Sequence, residues 1–162
     1  MRKMIAVALM VLAMPAFAYA KTLTLGADGP VVTVDVPDEW STNEYPNGVA
    51  VTATGNYLVT VEVVPVAEIA SKMEAAKKYF LDQGVELDKS TEASQDMQIN
   101  GYDVKYTEWR GKDKDGPAIV TISGMVLSDE QIIQINTWGS QDADKANSDG
   151  ILALVNSIKP AQ

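Results

Sequence analysis

The sequence predicts an α+β domain in which helices cover both faces of one antiparallel β-sheet. Three strand-like runs follow one another between Asn100 and Gly139, separated only by short polar turns, which is typical of an antiparallel meander. Side chains alternate across a strand, and here both faces come out largely apolar. A sheet that is apolar on both faces is usually covered on both. Two amphipathic helical segments, one before and one after the meander, supply the cover.

The three strands of the meander are predicted at residues 102–110, 118–127 and 131–138. Short turns fix how neighbouring strands align. We expect Arg110 to face Pro117 and Leu127 to face Gln131. In this register Val120 lies between Thr107 and Trp138.

Shorter strands are predicted before the meander, at residues 22–25, 31–36, 49–54 and 57–64. Gly55 and Asn56 join the last two as a hairpin. Pro37-Asp38-Glu39-Trp40 forms a corner, residues 41–47 are predicted as a loop, and residues 45–48 as a turn. Residues 95–99 are expected to pair with the first strand of the meander.

The first helix is predicted to begin near Val66 and to end before Gly84, a typical residue after a helix C-terminus. Its apolar residues recur at helical spacing on one face. They are Ile69, Met73, Ala76 and Phe80.

The last helix is predicted to begin after Ser140, which caps it, with Asp142 and Asp144 in its first turn. Pro160 ends it. Its apolar stripe consists of Ile151, Leu154, Val155 and Ile158. Gly150 lies inside the helix and costs about 1 kcal/mol of helix propensity relative to Ala.

The N-terminus predicts export. A basic start at Arg2-Lys3 precedes an apolar run at residues 4–17, which is too short to span a membrane and typical of a signal peptide. Ala18-Tyr19-Ala20 fits a cleavage site after Ala20, giving a signal peptide at residues 1–20 and one domain at residues 21–162. Cleavage after Ala18 and an uncleaved membrane anchor are the alternatives. The expected location is the periplasm or the exterior, with no stable membrane insertion after cleavage.

Charge and composition exclude several functions. Removing residues 1–20 takes away two basic residues and no acid, so the formal net charge changes from −9 to −11. Such an acidic chain is not expected to bind nucleic acid. The sequence has no Cys and no His. It therefore lacks Ser-His and Cys-His nucleophiles and the commonest zinc ligands. We expect no catalytic residues, no metal site and no cofactor.

The order of elements and two short motifs resemble the PsbP-like family. The motifs are Pro37-Asp38-Glu39-Trp40 and Asn100-Gly101-Tyr102. This fold is shared by the extrinsic photosystem II subunit, the Ran-binding Mog proteins and the periplasmic protein DcrB. The resemblance covers nearly the whole mature chain and implies an α/β/α sandwich with a non-enzymatic role. It implies no specific partner, and no functional residue of the family has a matching motif here.

The aromatic residues are the candidate partner-binding residues: Trp109, Trp138, Val120, Trp40 and Tyr45. The predicted register places Trp109 and Trp138 on one face near Val120. Either the C-terminal helix or the loop at Trp40 covers this patch, or the patch stays partly open for a protein or ligand.

The sequence thus predicts an acidic, exported, non-catalytic binding or accessory protein of the bacterial cell envelope, with an envelope protein as its partner. One alternative is a periplasmic protein that binds a small ligand or divalent cation in a pocket between the sheet and residues 40–45. The other is a small hydrolase, which requires a carboxylate cluster or a Ser-Lys pair in a cleft.

Overall fold

The computed structural model describes residues 20–161. The predicted signal peptide lies, apart from Ala20, outside the described residues. The strands are β1 (Ala20–Leu25), β2 (Val32–Pro37), β3 (Ser41–Tyr45), β4 (Gly48–Ala53), β5 (Tyr57–Pro65), β6 (Glu86–Ile99), β7 (Tyr102–Asp113), β8 (Gly116–Val126), β9 (Gln131–Ser140) and β10 (Lys159–Pro160). The helices are α1 (Ile69–Asp82), which follows a 3-10 turn at Val66–Glu68, and α2 (Gln141–Ser157).

Most strands belong to one seven-stranded sheet with the order β3-β4-β5-β9-β8-β7-β6. All of its neighbouring strands are antiparallel. The remaining strands form a small antiparallel sheet with the order β1-β2-β10. The structure is thus mostly antiparallel β-sheet with two helices among the described residues, as the predicted α+β class requires.

The predicted register of the meander is correct for one of its two strand pairs. Between β8 and β9 it is confirmed, since Val120 faces Trp138. Between β7 and β8 it is wrong by two residues, because Lys112 rather than Arg110 faces Pro117. Strand β7 continues to Asp113, and the turn is therefore shorter than predicted. A shift of two residues leaves every side chain on its predicted face.

Two edge strands were wrongly or incompletely predicted. Residues 41–47 were expected to form a loop, but Ser41–Tyr45 is strand β3 and pairs with β4. At the opposite edge, β6 pairs with β7 from Glu86 to Ile99, with an irregularity between Asp88 and Ala93. Both strands are largely exposed. They lack the apolar alternation that identifies a half-buried strand.

Two hydrophobic clusters fill the molecule. The larger contains odd-numbered residues of β5 and β9, the small sheet, Trp40, and Leu154 of α2. The smaller contains Phe80 of α1 with Trp109, Val120 and Ile122. Because neighbouring side chains alternate, the two helices contact side chains that point in opposite directions from the central strands.

One end of each helix follows its predicted signal, whereas α1 begins at Ile69 after a 3-10 turn and α2 ends at Ser157, before Pro160. The Ser140 side chain accepts a hydrogen bond from the backbone N–H of Ala143, 3.2 Å away, at the start of α2. Gly84 adopts φ +85°, and the N–H of Val85 donates to the carbonyl of Phe80 at 3.0 Å. This is the hydrogen-bond pattern of a helix that ends in a left-handed residue.

Candidate functional site

The predicted aromatic patch is covered. Trp109 is 4% exposed and Val120 is fully buried, while Trp138 is half-buried. The cover is α1, not the C-terminal helix or the Trp40 loop: the rings of Phe80 and Trp138 meet edge to face, 6.2 Å apart. The alternative of an open patch therefore does not apply to Trp109 and Val120. A partner-binding role for these residues remains a prediction.

Trp40 and Tyr45 do not share a pocket. Trp40 is 4% exposed and packs against Gly150 of α2, where a Cβ would lie only 2.6 Å from its ring. Tyr45 is 37% exposed at the end of edge strand β3. The pocket predicted between the sheet and residues 40–45 is thus not formed by these two aromatic residues together.

A cavity of about 280 Å³ lies between the sheet and α2; we call it the α2 cavity. Its floor is apolar and comes from four adjacent strands, β6 to β9. The floor residues are Met97, Ile99, Val104, Met125 and Ile135. Its wall is the second half of α2, with Ile151, Leu152 and Val155. Leu152 is 57% exposed, so the wall reaches the surface of the protein.

The other end of the α2 cavity is polar and hydrogen-bonded. The hydroxyl of Tyr57 donates to the carboxylate of Asp144 at 2.6 Å and is hydrogen-bonded to Thr137 at 2.8 Å. Thr137 is hydrogen-bonded in turn to Thr121, 2.7 Å away. Burial and the carboxylate of Asp144 hold the pKa of Tyr57 well above its ordinary value, so the hydroxyl remains a hydrogen-bond donor.

Local sequence explains how this polar end is positioned. Asp144 lies in the first turn of α2, where a carboxylate is favourable. Gly139 makes room for the Tyr57 ring, since a Cβ there would lie 2.5 Å from Cδ2 of that ring. Thr121 and Thr137 face each other across β8 and β9, as the confirmed register requires.

Sequence reasoning missed the α2 cavity because its residues are scattered over six elements. The one available signal was the polar residues on a face that is otherwise apolar. Thr121, Ser123 and Thr137 interrupt the odd-numbered face of β8 and β9, and each lines the cavity. The α2 residues of the apolar stripe were identified, but as core residues only.

The arrangement offers an apolar surface and hydrogen-bonding side chains that can bind a ligand. No three acidic or other metal-ligating side chains come together among residues 20–161. The alternative that a divalent cation binds has no support from side-chain geometry. The Tyr57 hydroxyl is engaged by hydrogen bonds and keeps its proton, so it is suited to a structural or binding role.

No protein-family model matches the chain, and no curated protein sequence matches it significantly. Solved structures do match. Cyanobacterial PsbP (CyanoP) from Synechocystis sp. PCC 6803 aligns with a TM-score of 0.59 at 10% identity, over 91% of this chain and 95% of that one. The chain has a PsbP-like fold. The family resemblance drawn from the element order and the Pro-Asp-Glu-Trp corner is thus confirmed for the fold.

Two further structures match this PsbP-like chain. LpqN of Mycobacterium tuberculosis, which is described as involved in cell envelope biogenesis, aligns with a TM-score of 0.51 at 12% identity, over 89% of this chain and 92% of LpqN. A protein from Bacteroides thetaiotaomicron aligns with a TM-score of 0.59 at 5% identity, over 88% of this chain and 48% of its own length. At these identities the likeness concerns the fold. Neither helix within residues 20–161 has the length and apolar character needed to cross a membrane.

Proposed function

We propose that this protein is an exported, non-catalytic accessory protein of the bacterial cell envelope that binds a small amphipathic molecule in the α2 cavity. The observation that carries this proposal is the cavity itself, with an apolar floor and a hydrogen-bonded polar end. Small-molecule sites commonly have this composition: mostly apolar walls and a few placed polar groups.

The polar end defines the polarity of the ligand's head group. It presents the Asp144 carboxylate together with the hydroxyls of Tyr57, Thr121 and Thr137. A neutral or cationic head with a hydrogen-bond donor complements it, whereas an anionic head would be repelled by Asp144. The apolar part of the ligand would lie on Met97, Val104 and Met125.

Export and architecture are further parts of the proposal. The basic start and short apolar run of residues 1–20 support a cleaved signal peptide and a periplasmic location. The LpqN description, which names cell envelope biogenesis, is compatible with that compartment.

Phe80 and Leu154, which lie in clusters on opposite sides of the central strands, support the description of the fold as an α/β/α sandwich. An envelope protein remains the proposed partner.

The test is saturable binding of a neutral apolar dye that carries an N–H donor, N-phenyl-1-naphthylamine, to mature protein. We expect its fluorescence to rise and saturate with wild type. Ser148 lines the cavity from α2, so Ser148→Trp should fill the entrance and abolish the signal. Ala146 is exposed on the same helix and does not line the cavity, so Ala146→Trp is the matched control and should bind as wild type does.

Two outcomes contradict the proposal. One is the absence of saturable binding to wild type. The other is equal binding by Ser148→Trp and wild type when both are shown by circular dichroism to be folded.

A further inference from the structure

A second cavity, of about 350 Å³, lies beneath α1; we call it the α1 cavity. It is on the even-numbered side of β5 and β9 and so is separated from the α2 cavity by the sheet. Its floor is polar, although it lies beneath a helix that packs on the sheet. The floor residues are Thr60, Glu62, Gln134 and Asn136.

One floor group lacks a hydrogen-bond partner. The side-chain nitrogen of Gln134 donates to Asn136 Oδ1 at 3.0 Å, and the side-chain nitrogen of Asn136 donates to Thr60 Oγ1 at 2.9 Å. This series of hydrogen bonds leaves Gln134 Oε1 without a partner. The atom is buried, and Gln134 is only 1% exposed. A buried polar atom without a partner is destabilising, so it indicates a partner other than the protein itself.

An ion pair lies beside this unpaired oxygen. Glu62 faces Gln134 directly across β5 and β9. The ammonium of Lys72, from α1, is 2.6 Å from Glu62 Oε1, and these side chains are 33% and 17% exposed. Tyr45 lines the cavity beside Glu62, and its burial, followed by the charge of Glu62, raises its pKa to about 12. Both signs of charge are thus present next to a free acceptor.

Most of the remaining wall residues are apolar. Leu58, Ala76 and Phe80 line the cavity, and the small side chains of Ala75 and Ala76 leave the space between α1 and the floor. A ligand that fits has one cationic donor group, one anionic group and a small apolar body.

We propose that the α1 cavity binds a zwitterionic amino acid with an apolar side chain. Its ammonium group pairs with Gln134 Oε1 and Glu62, and its carboxylate pairs with Lys72. Each member of the Glu62–Lys72 pair then exchanges its partner for the opposite charge of the ligand, so no charge is left unpaired. The apolar side chain packs on Leu58 and Phe80.

The test compares L-leucine with two analogues that each lack one charged group, by isothermal titration calorimetry on the mature protein. 3-Methylbutylamine lacks the carboxylate, and 4-methylpentanoate lacks the amine. Hydrogen bonds to charged groups are worth about 1.5–3 kcal/mol, so each analogue should bind at least about tenfold more weakly than leucine. Binding of 4-methylpentanoate as tight as that of leucine would overturn the role of Gln134 and Glu62.

A variant pair locates the binding. Gln134→Met keeps the side-chain length, removes the acceptor, and should weaken leucine binding at least about tenfold. Gln131→Met makes the same change on the same strand but outside the cavity, and should leave binding unchanged. No leucine binding to wild type, or unchanged binding to folded Gln134→Met, overturns the proposal.

The two cavity proposals can fail separately. Binding of the dye in the α2 cavity should be unaffected by Gln134→Met, and leucine binding should be unaffected by Ser148→Trp.

Discussion

Gly150 gives the sharpest test of the packing between α2 and Trp40. By helix propensity alone, Gly150→Ala in the interior of α2 should stabilise the protein by about 0.8–1.0 kcal/mol. Close packing against Trp40 should reduce or reverse this gain in stability. A Cβ at position 150 would lie 2.6 Å from Cζ2 and 2.8 Å from Cη2 of Trp40, whose ring is buried and cannot easily move.

The two effects set the expected magnitude. Overpacking a well-filled core by one methyl group typically costs about 1–3 kcal/mol. Subtracting the propensity gain leaves Gly150→Ala destabilised by about 0–2 kcal/mol. Phenylalanine at position 40 is a smaller ring that lacks the Cζ2 and Cη2 atoms of the indole. In a Trp40→Phe background, Gly150→Ala should therefore stabilise the protein by up to about 1 kcal/mol.

A double-mutant cycle measures the difference. The free energy of unfolding of wild type, both single variants and the double variant would be obtained from urea denaturation followed by circular dichroism, because the tryptophan itself is changed. We expect a coupling energy of about 1–3 kcal/mol. If Gly150→Ala has the same effect in both backgrounds, Trp40 does not determine the need for glycine, and the reasoning is refuted.

Three further predictions concern α1, the cap of α2 and alkaline pH. Phe80→Ala should lower the free energy of unfolding by about 3–5 kcal/mol in denaturant titrations, because Phe80 is 2% exposed and joins α1 to the sheet. Ser140→Ala should cost about 0.5–2 kcal/mol in the same assay because it removes the N-cap of α2, whereas Ser148→Ala on the exposed surface of that helix should change little. The pKa of Tyr45 rises from 10.0 to about 12 on folding, through burial and then the charge of Glu62. Its neutral form therefore adds stability below pH 10, and that stability is lost as the pH rises to about 12. Tyr45→Phe should make the alkaline loss of stability less steep, as measured by melting temperature against pH.

Each of these three has a clear contrary result. A Phe80→Ala variant with near wild-type stability would mean that α1 contributes little to the second cluster. Equal effects of Ser140→Ala and Ser148→Ala would exclude capping as the cause. An unchanged alkaline profile in Tyr45→Phe would mean that Tyr45 ionises as easily in the folded chain as in the unfolded one.

Local patterns were enough to predict most elements of the fold. The hairpin around Gly55-Asn56, the end of α1 before Gly84 and the Ser140 cap are each specified by residues close together in the chain. The β8–β9 register also followed from a short turn. The PsbP-like fold was identified from the order of these elements, and structural comparison confirmed it.

The candidate sites could not be predicted from the sequence because they depend on contacts between residues that are distant in the chain. Tyr57 and Asp144 are 87 positions apart and meet only because β5 pairs with β9 and α2 folds back over both. In the sequence, Gln134 is indistinguishable from an exposed polar residue of a strand. It is buried only because α1 lies over it.

The sequence by itself determined most of the strands, both helices, and that the chain is acidic and without Cys or His. Only the tertiary structure decided that the aromatic patch is covered by α1, that β3 completes the edge of the sheet, and that a cavity lies on each side of it. The physical reason is the range of the interactions. Periodicity and capping act within a few residues, whereas strand order, burial and cavity shape depend on how distant segments share one core.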